Sequence, residues 1–320
     1  MHGLIVGFGS IGERHARNLQ ALRPGLRITL LTRRALDGTA NMRVVSELDA
    51  ALAAQPDFAV IANQSHRHLW ALEPLLRRRI PCYIEKPVVA DAAQAAALRR
   101  LLAELSALPP TLVGCNLRFL PSLVRLRELL ARGAAGKVVR ASLEVGQWLP
   151  DWRPAQDYRA SYSAHADQGG GVILDLIHEL DQARWLFGDP DEVRALAGKF
   201  SSLQIKAEDT ACVLLGYRGG PVVTASLDYV SRRPVRRYQL VGESGTLTWD
   251  LGAHRLELAC PDRSETVDCG PQGFDVARTY VTALAEFIDC VEQHRSSSQD
   301  IADGLRSAQL ALHVKQAAGL

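Results

Sequence analysis

Lysine is scarce in this sequence of 320 residues: five lysines stand beside 32 arginines. The 37 cationic side chains nearly balance 35 acidic ones, leaving a formal charge of +2. A chain so close to neutral lacks the basic surface that phosphate-backbone contacts demand, which argues against nucleic acid as a partner. The six cysteines include no Cys-x-x-Cys pair, so the usual zinc and dithiol motifs are missing and free thiols are expected. No apolar run approaches the roughly 20 residues of a bilayer-spanning helix. The chain passes directly from Met1-His2-Gly3 into Leu4–Val6, without the charged lead and long apolar stretch of a secretory signal. These absences lead to the expectation of a cytoplasmic protein with no membrane partner. There is no internal repeat and no low-complexity linker, and aromatics make up only 6% of the chain.

What is present is hydrophobic residue, 47% of the total, enough to build two cored domains of about 100–200 residues each. Up to about residue 116, short apolar runs such as Leu4–Val6, Phe58–Ala62 and Pro81–Glu85 alternate with helix-period segments. That alternation implies parallel βαβ units and an open, doubly wound sheet. Ser46 with Asp49 reads as a capping box, and Asp91 reads as the cap of the Ala-rich helix after it. Beyond a helix near Pro121–Arg132, alternating strand-like runs dominate from Val138 to Val267. One helix, about Gly171–Phe187, interrupts them, and two more close the chain. The expected fold is α/β, with a parallel-sheet domain over residues 1–118 and a mainly antiparallel sheet with helices on one face over residues 119–320.

Gly7-Phe8-Gly9-Ser10-Ile11-Gly12 stands where the first strand turns into the first helix. Glycines at that spacing allow a tight turn, close approach to a pyrophosphate and close helix–strand contact, while the helix N-terminus offers N–H groups to the phosphates. The second strand should end about 20 residues later, where a carboxylate would hold the ribose of NAD. The sequence there is Thr32-Arg33-Arg34. Two guanidiniums and a hydroxyl suit a 2′-phosphate, so NADP(H) is the expected cofactor, with NAD the alternative.

Three further features suggest a site. Lys86, one of the few lysines, closes a strand-like run at the carboxyl end of a parallel strand, where open α/β sheets bind ligands. Asp175, His178 and Gln182 fall on one face of the interrupting helix at a period of about 3.6 residues, opposite Leu176, Leu180, Ala183 and Phe187. Trp148, Trp152, Tyr158 and Tyr162 cluster just before the triple glycine. Aromatic faces stack on sugar rings, although a loop packed on the sheet or at a subunit contact is an equal reading. Arg118, just after the last parallel strand, suits a carboxylate or phosphate, as in a sugar acid or nucleotide sugar. His15 carries no pattern, and His66 and His68 lack a third ligand for a metal.

Together with Asn63-x-x-His66, Glu85-Lys86-Pro87 and Gly169-Gly170-Gly171 leading to Asp175 and His178, the opening glycine turn resembles the Gfo/Idh/MocA oxidoreductases. The resemblance spans both domains. It implies an N-terminal Rossmann domain, a C-terminal α/β domain with a large, mostly antiparallel sheet, and a nicotinamide cofactor. It also implies hydride transfer at a hydroxyl carbon of a sugar or cyclitol, and a homodimer or homotetramer formed through the exposed sheet face. By the same resemblance, Lys86 lies beside the reacting hydroxyl with a cis bond to Pro87, Glu85 orients Lys86, and Asn63 and His66 line the cofactor channel. Asp175 and His178 supply the acid/base pair. The family commonly separates those two by four residues, whereas this chain separates them by three.

The chemistry suits these residues. Hydride transfer at a carbinol requires an acid/base group at its oxygen. Histidine has an ordinary pKa of about 6.5, and a neighbouring carboxylate fixes its tautomer. Lysine stabilises a developing alkoxide and can release a proton. Two other functions remain open at this point: redox-assisted cleavage of a glycosidic bond with a retained cofactor, and a cofactor-sensing binding protein without turnover.

Overall fold

The structure is a computed structural model that describes residues 1–34 and 42–320. The chain opens with β1 (His2–Val6), α1 (Ser10–Leu22), β2 (Arg27–Leu31), β3 (Met42–Val45) and α2 (Leu48–Ala53). It continues through β4 (Phe58–Ile61), α3 (His68–Arg77), β5 (Cys82–Ile84), α4 (Ala92–Glu104) and β6 (Thr111–Val113). These six strands form one parallel sheet in the order β3-β2-β1-β4-β5-β6. β1, β4 and β5 are buried along their whole length. Strands covered on both faces must read as continuous apolar runs, which is why Leu4–Val6 and Phe58–Ile61 show no alternation. The chain winds outward from β1 in one direction and from β4 in the other. The carboxyl ends of β1 and β4 therefore border the point where the order reverses, the usual ligand position in such sheets.

The remaining elements are α5 (Pro121–Ala131), β7 (Val138–Gly146), α6 (Val172–Asp175), α7 (His178–Phe187), β8 (Glu192–Gly198), β9 (Thr210–Gly216) and β10 (Val222–Asp228). They are followed by β11 (Val235–Gly242), β12 (Thr246–Asp250), β13 (Arg255–Cys260), β14 (Arg263–Thr266), α8 (Val276–Gln293) and α9 (Ile301–Ala317). The second sheet has eight strands in the order β14-β13-β12-β11-β7-β10-β9-β8. Every pair is antiparallel except β7 with β10. Its inner face buries Leu143, Val213, Leu215, Val223, Tyr238, Leu240 and Trp249. Each buried aliphatic side chain of this kind contributes about 1.5–3 kcal/mol. The tryptophan indole donates to the Ser122 hydroxyl on α5 at 2.8 Å, so its one polar atom is satisfied. On the other face Leu196, Leu214 and Val222 stay exposed.

The chain divides into two compact units: Met1–Asn116 with Ala277–Ala308, and Leu117–Val276 with Gln309–Leu320. This differs from a single cut near residue 118, because α8 and the first half of α9 group with the parallel sheet. The reason is packing. Phe287 of α8 meets the rings of Phe58 and Tyr83 edge-on at 5.8 and 5.9 Å. The Ile301 amide donates to the Thr111 hydroxyl at 3.0 Å. Gly304 lies so close to Val113 that a Cβ there would meet it at 2.4 Å.

Two local expectations change. Asp91 does cap α4, accepting from the Gln94 amide at 2.8 Å. The Ser46 capping box, however, does not form: α2 starts at Leu48 with Glu47 at its cap and no side-chain cap bond. The helix expected over 171–187 is broken. Leu176 takes φ −98° and ψ 31°, and the Glu179 amide meets the Leu176 carbonyl three residues back at 3.4 Å. Asp175 ends one helix and His178 begins the next, so no single helical face carries both. All six cysteines are free. Among the described residues, no helix is long and apolar enough to cross a membrane.

Candidate active site

In the first unit the glycine turn joins β1 to α1. Gly7 has φ +88°, and a Cβ on it would lie 2.6 Å from the Asn63 backbone; one on Gly12 would lie 2.2 Å from the Gly7 carbonyl oxygen. These two positions are glycine because the protein itself fills the space. Gly9 differs: a Cβ there would meet nothing within 4 Å. It also occupies the N-cap of α1, which has no side-chain cap bond. A glycine that no protein neighbour requires, at the mouth of a helix whose first-turn N–H groups lack a capping side chain, fits a pyrophosphate approaching the backbone. Phe8, Ser10 and Ile11 complete the turn.

After β2 the backbone amide of Arg34 donates to the Thr32 hydroxyl at 3.2 Å, and its guanidinium donates to the Phe8 carbonyl at 2.8 Å. Arg34 thus links the end of β2 to the phosphate turn. Arg33 is exposed and lies 3.7 Å from Glu47, a contact that solvent screens. Asn63 lies two residues past the end of β4, and its side-chain amide donates to the Arg67 carbonyl at 3.0 Å. His66 sits in a single 3-10 turn, Ser65–Arg67, where its carbonyl accepts from Gln94 at 3.1 Å. The adjacent His68 is buried and pairs with the Asn63 carbonyl at 3.0 Å. Burial lowers its pKa below the ordinary 6.5, against the opposing influence of the Asn63 carbonyl and Glu85.

Glu85 and Lys86 follow β5, and the Lys86–Pro87 peptide is cis. The Glu85 carboxylate is almost wholly buried, 2.6 Å from the imidazole of His15 on α1. Burial and the Glu85 charge hold the neighbouring Tyr83 phenol well above its usual pKa, so it remains protonated. Gly7, Asn63, Glu85 and Lys86 all sit at the carboxyl ends of β1, β4 and β5, successive strands of the sheet.

In the second unit, the triple glycine packs tightly against the protein. A Cβ on Gly170 would lie 2.1 Å from the Tyr162 carbonyl, and one on Gly171, whose φ is +103°, would strike the Glu208 carboxylate at 2.3 Å. Glu208 in turn pairs with Lys315 at 3.2 Å. The segment before the glycines is thereby held against α6. Asp175, at the end of α6, accepts the Tyr229 hydroxyl at 2.7 Å and is also hydrogen-bonded by Tyr162. Burial, reinforced by the Asp175 charge, keeps both phenols far above their ordinary pKa. They serve as donors to the carboxylate. Trp152 meets Tyr229 edge-on at 5.3 Å, and Arg153 lies over the Tyr162 ring at 5.9 Å. Of the aromatic cluster seen in the sequence, Trp152 and Tyr162 gather around Asp175 and Tyr229, while Trp148 lies under the Arg232 guanidinium at 3.6 Å. Tyr158 points elsewhere, accepting from the Gln204 amide at 3.3 Å.

Residues 178–184 of α7 are buried on every side, the polar ones included. Glu179 accepts from Tyr238 at 3.0 Å and pairs with Arg236 at 2.8 Å; burial nevertheless raises its pKa. Arg118, expected to meet an anionic group of a substrate, instead forks onto Asp181 at 2.9 and 2.6 Å, with both side chains at least nine-tenths buried. His15, Asp181 and Tyr229 were invisible as site residues in the sequence. Their partners lie 70, 63 and 54 positions away, and no local pattern reports such pairings.

Comparison with known proteins finds two family models that match separate stretches of the chain. Residues 1–109 match the oxidoreductase family with an NAD-binding Rossmann fold, and residues 123–248 match the GFO/IDH/MocA C-terminal domain. The chain is 27% identical to a D-apiose dehydrogenase of Rhizobium rhizogenes over 74% of its own length and 68% of that protein's. It is 27% identical to an inositol 2-dehydrogenase of Acidothermus cellulolyticus over 94% and 87%. Among solved structures, an oxidoreductase from Agrobacterium radiobacter in complex with NAD+, L-tartaric acid and magnesium superposes with a TM-score of 0.83, at 21% identity over 100% of this chain and 96% of that one. A levoglucosan dehydrogenase in complex with NADH and levoglucosan gives 0.84 at 16% identity, over 100% and 97%. With the glycine turn after β1, Asp175 and His178 on the helices α6 and α7, and family models matching residues 1–109 and 123–248, the chain belongs to the Gfo/Idh/MocA family of oxidoreductases.

Proposed function

We propose that this chain is a dehydrogenase or reductase that moves a hydride between a nicotinamide dinucleotide, preferentially NADP(H), and a hydroxyl or keto carbon of a sugar, sugar acid or nucleotide sugar. One observation carries the reading: Gly9 opens onto empty space before α1 while Lys86 stands at the same sheet edge, two strands along. Two strand spacings are about 10 Å, within reach of one extended dinucleotide. The Gly7–Gly12 turn holds the pyrophosphate, Asn63 and His66 line the cofactor channel, and Glu85 orients Lys86. When bound, the dinucleotide supplies or accepts the hydride. Lys86 steadies charge on the substrate oxygen, and His178 with Asp175 takes or returns its proton.

Support for NADP(H) is the run Thr32-Arg33-Arg34, which places two cations and a hydroxyl, and no carboxylate, directly after β2. The dehydrogenase names of the relatives and the aromatic surround of Asp175 support a polyhydroxylated substrate, with Trp152 stacking on its apolar face. The exposed Leu196, Leu214 and Val222 on the outer sheet face favour a homodimer or homotetramer.

The test is NADPH and NADH absorbance against sugars, cyclitols, sugar acids and nucleotide sugars. Lys86→Ala and His178→Ala should each lose about 10³-fold in kcat and keep their cofactor affinity. Unchanged turnover in both variants would refute the proposal, and tighter binding of NADH than NADPH would refute the cofactor preference.

A further inference from the structure

We infer that His15 is a positioning residue, one that locks the carboxylate beside Lys86 to the helix behind the phosphate turn. His15 lies on α1, three residues past Gly12, and its Nε2 is 2.6 Å from Glu85 Oε1 across 70 positions of sequence. The imidazole is fully buried and Glu85 is 8% exposed, so water hardly competes for the bond. A box of rings and backbone fits the pair. Tyr83 and Tyr280 meet the imidazole edge-on at 4.9 and 6.3 Å, and the Arg14 guanidinium covers Tyr280 at 4.6 Å. On the remaining side stands Gly114, where a Cβ would lie 2.9 Å from the Tyr83 hydroxyl and 3.3 Å from Glu85 Oε1. Any larger residue there would crowd the carboxylate.

The ring's other nitrogen settles which atom carries the proton. His15 Nδ1 is buried and has no hydrogen-bond partner among the described residues. A proton there would be a buried donor without an acceptor, a costly arrangement. The ring therefore carries a proton on Nε2 and donates it to Glu85. That bond fixes the carboxylate one residue before Lys86, and with it the direction from which Glu85 can orient the ammonium group. The helix that receives the pyrophosphate and the strand that presents the lysine are thus joined by one buried hydrogen bond. The inference rests on the function proposed above and adds a residue to that site.

The experiment compares His15→Phe, which keeps the bulk and loses the donor, with His15→Gln, whose amide can donate from nearly the same position. Both are made in the full chain, their folding checked by circular dichroism, and assayed with NADPH or NADP+. The phenylalanine variant should lose roughly 10- to 100-fold in kcat while its cofactor Kd, from fluorescence titration, stays within about twofold; the glutamine variant should recover most of the loss. Wild-type turnover in the phenylalanine variant would overturn the inference. So would a folded glutamine variant no better than phenylalanine, or parallel losses of kcat and cofactor affinity. A long-range proton–nitrogen spectrum of histidine-labelled wild-type protein reads the tautomer without turnover: Nε2–H supports the pairing and Nδ1–H refutes it. If wild-type protein oxidises or reduces nothing on the panel, the functional reading fails, and the tautomer still decides the His15–Glu85 bond.

Discussion

The two units carry their polar chemistry in different ways. In the parallel-sheet unit it is largely backbone: a glycine turn, a helix start without a side-chain cap, and residues that follow strand ends. In the antiparallel unit it is side chain, deeply buried and closed on itself through Arg118–Asp181, Glu179–Arg236 and Tyr229–Asp175. Backbone groups at strand ends exist whatever the side chains are, so such a site stays open to a ligand at little cost to the fold. Buried side-chain charges need partners before the fold is stable at all. Changes to the glycine turn of the first unit should therefore weaken binding at little cost to stability, whereas removing one partner of a buried ion pair in the second should cost it stability.

Four measurements would break or sharpen that contrast. The largest expected effect is in the antiparallel unit. Asp181→Ala removes the carboxylate from a buried Arg118 and should lower unfolding free energy by about 3–5 kcal/mol in urea; a loss below about 1 kcal/mol would mean that the pair is solvated. In the parallel unit, Gly9→Val should leave the melting temperature nearly unchanged, since a Cβ there meets no protein atom within 4 Å, yet weaken cofactor binding about 100-fold, or roughly 2.7 kcal/mol. A fall in melting temperature without a loss of affinity would reverse the reading of Gly9. Tyr229→Phe, which deletes one donor to Asp175, should lower kcat/KM about tenfold, or roughly 1.4 kcal/mol, at the low end of a hydrogen bond to a charged group. An unchanged value would show that Tyr162 suffices.

The smallest effect concerns His68. Its folded pKa is depressed below 6.5 by burial, so between the depressed and ordinary values the unfolded chain binds a proton that the folded one does not. Stability is full above the ordinary value and is lost as pH falls through the depressed one. Melting temperature should drop from about pH 7 to about pH 5, and His68→Gln should flatten that slope. Equal slopes would assign the acid sensitivity to another group.

Much of the first unit was legible because its signals are local. A strand covered on both faces must be continuously apolar, and a phosphate turn needs its glycines at fixed offsets, so Leu4–Val6 and Gly7–Gly12 announced themselves. The second unit was legible as architecture, from alternating runs and glycine turns, but not as a site. Asp175 and His178 looked like two residues on one helix until the break at Leu176 separated them, and Arg118 looked like an anion receptor until Asp181 met it.

The sequence by itself determined most of the order of strands and helices, though not the edge strands β3 and β14, together with the phosphate turn, the lysine after β5 and the triple glycine, because each depends on residues close together along the chain. Only the tertiary structure decided the partners: His15 for Glu85, Tyr229 for Asp175, Asp181 for Arg118, and the closing helices for the first sheet. Hydrogen bonding and desolvation act over a few ångströms in space and are indifferent to separation along the chain, so pairings across 50 or more residues emerge only when the fold has brought them into contact.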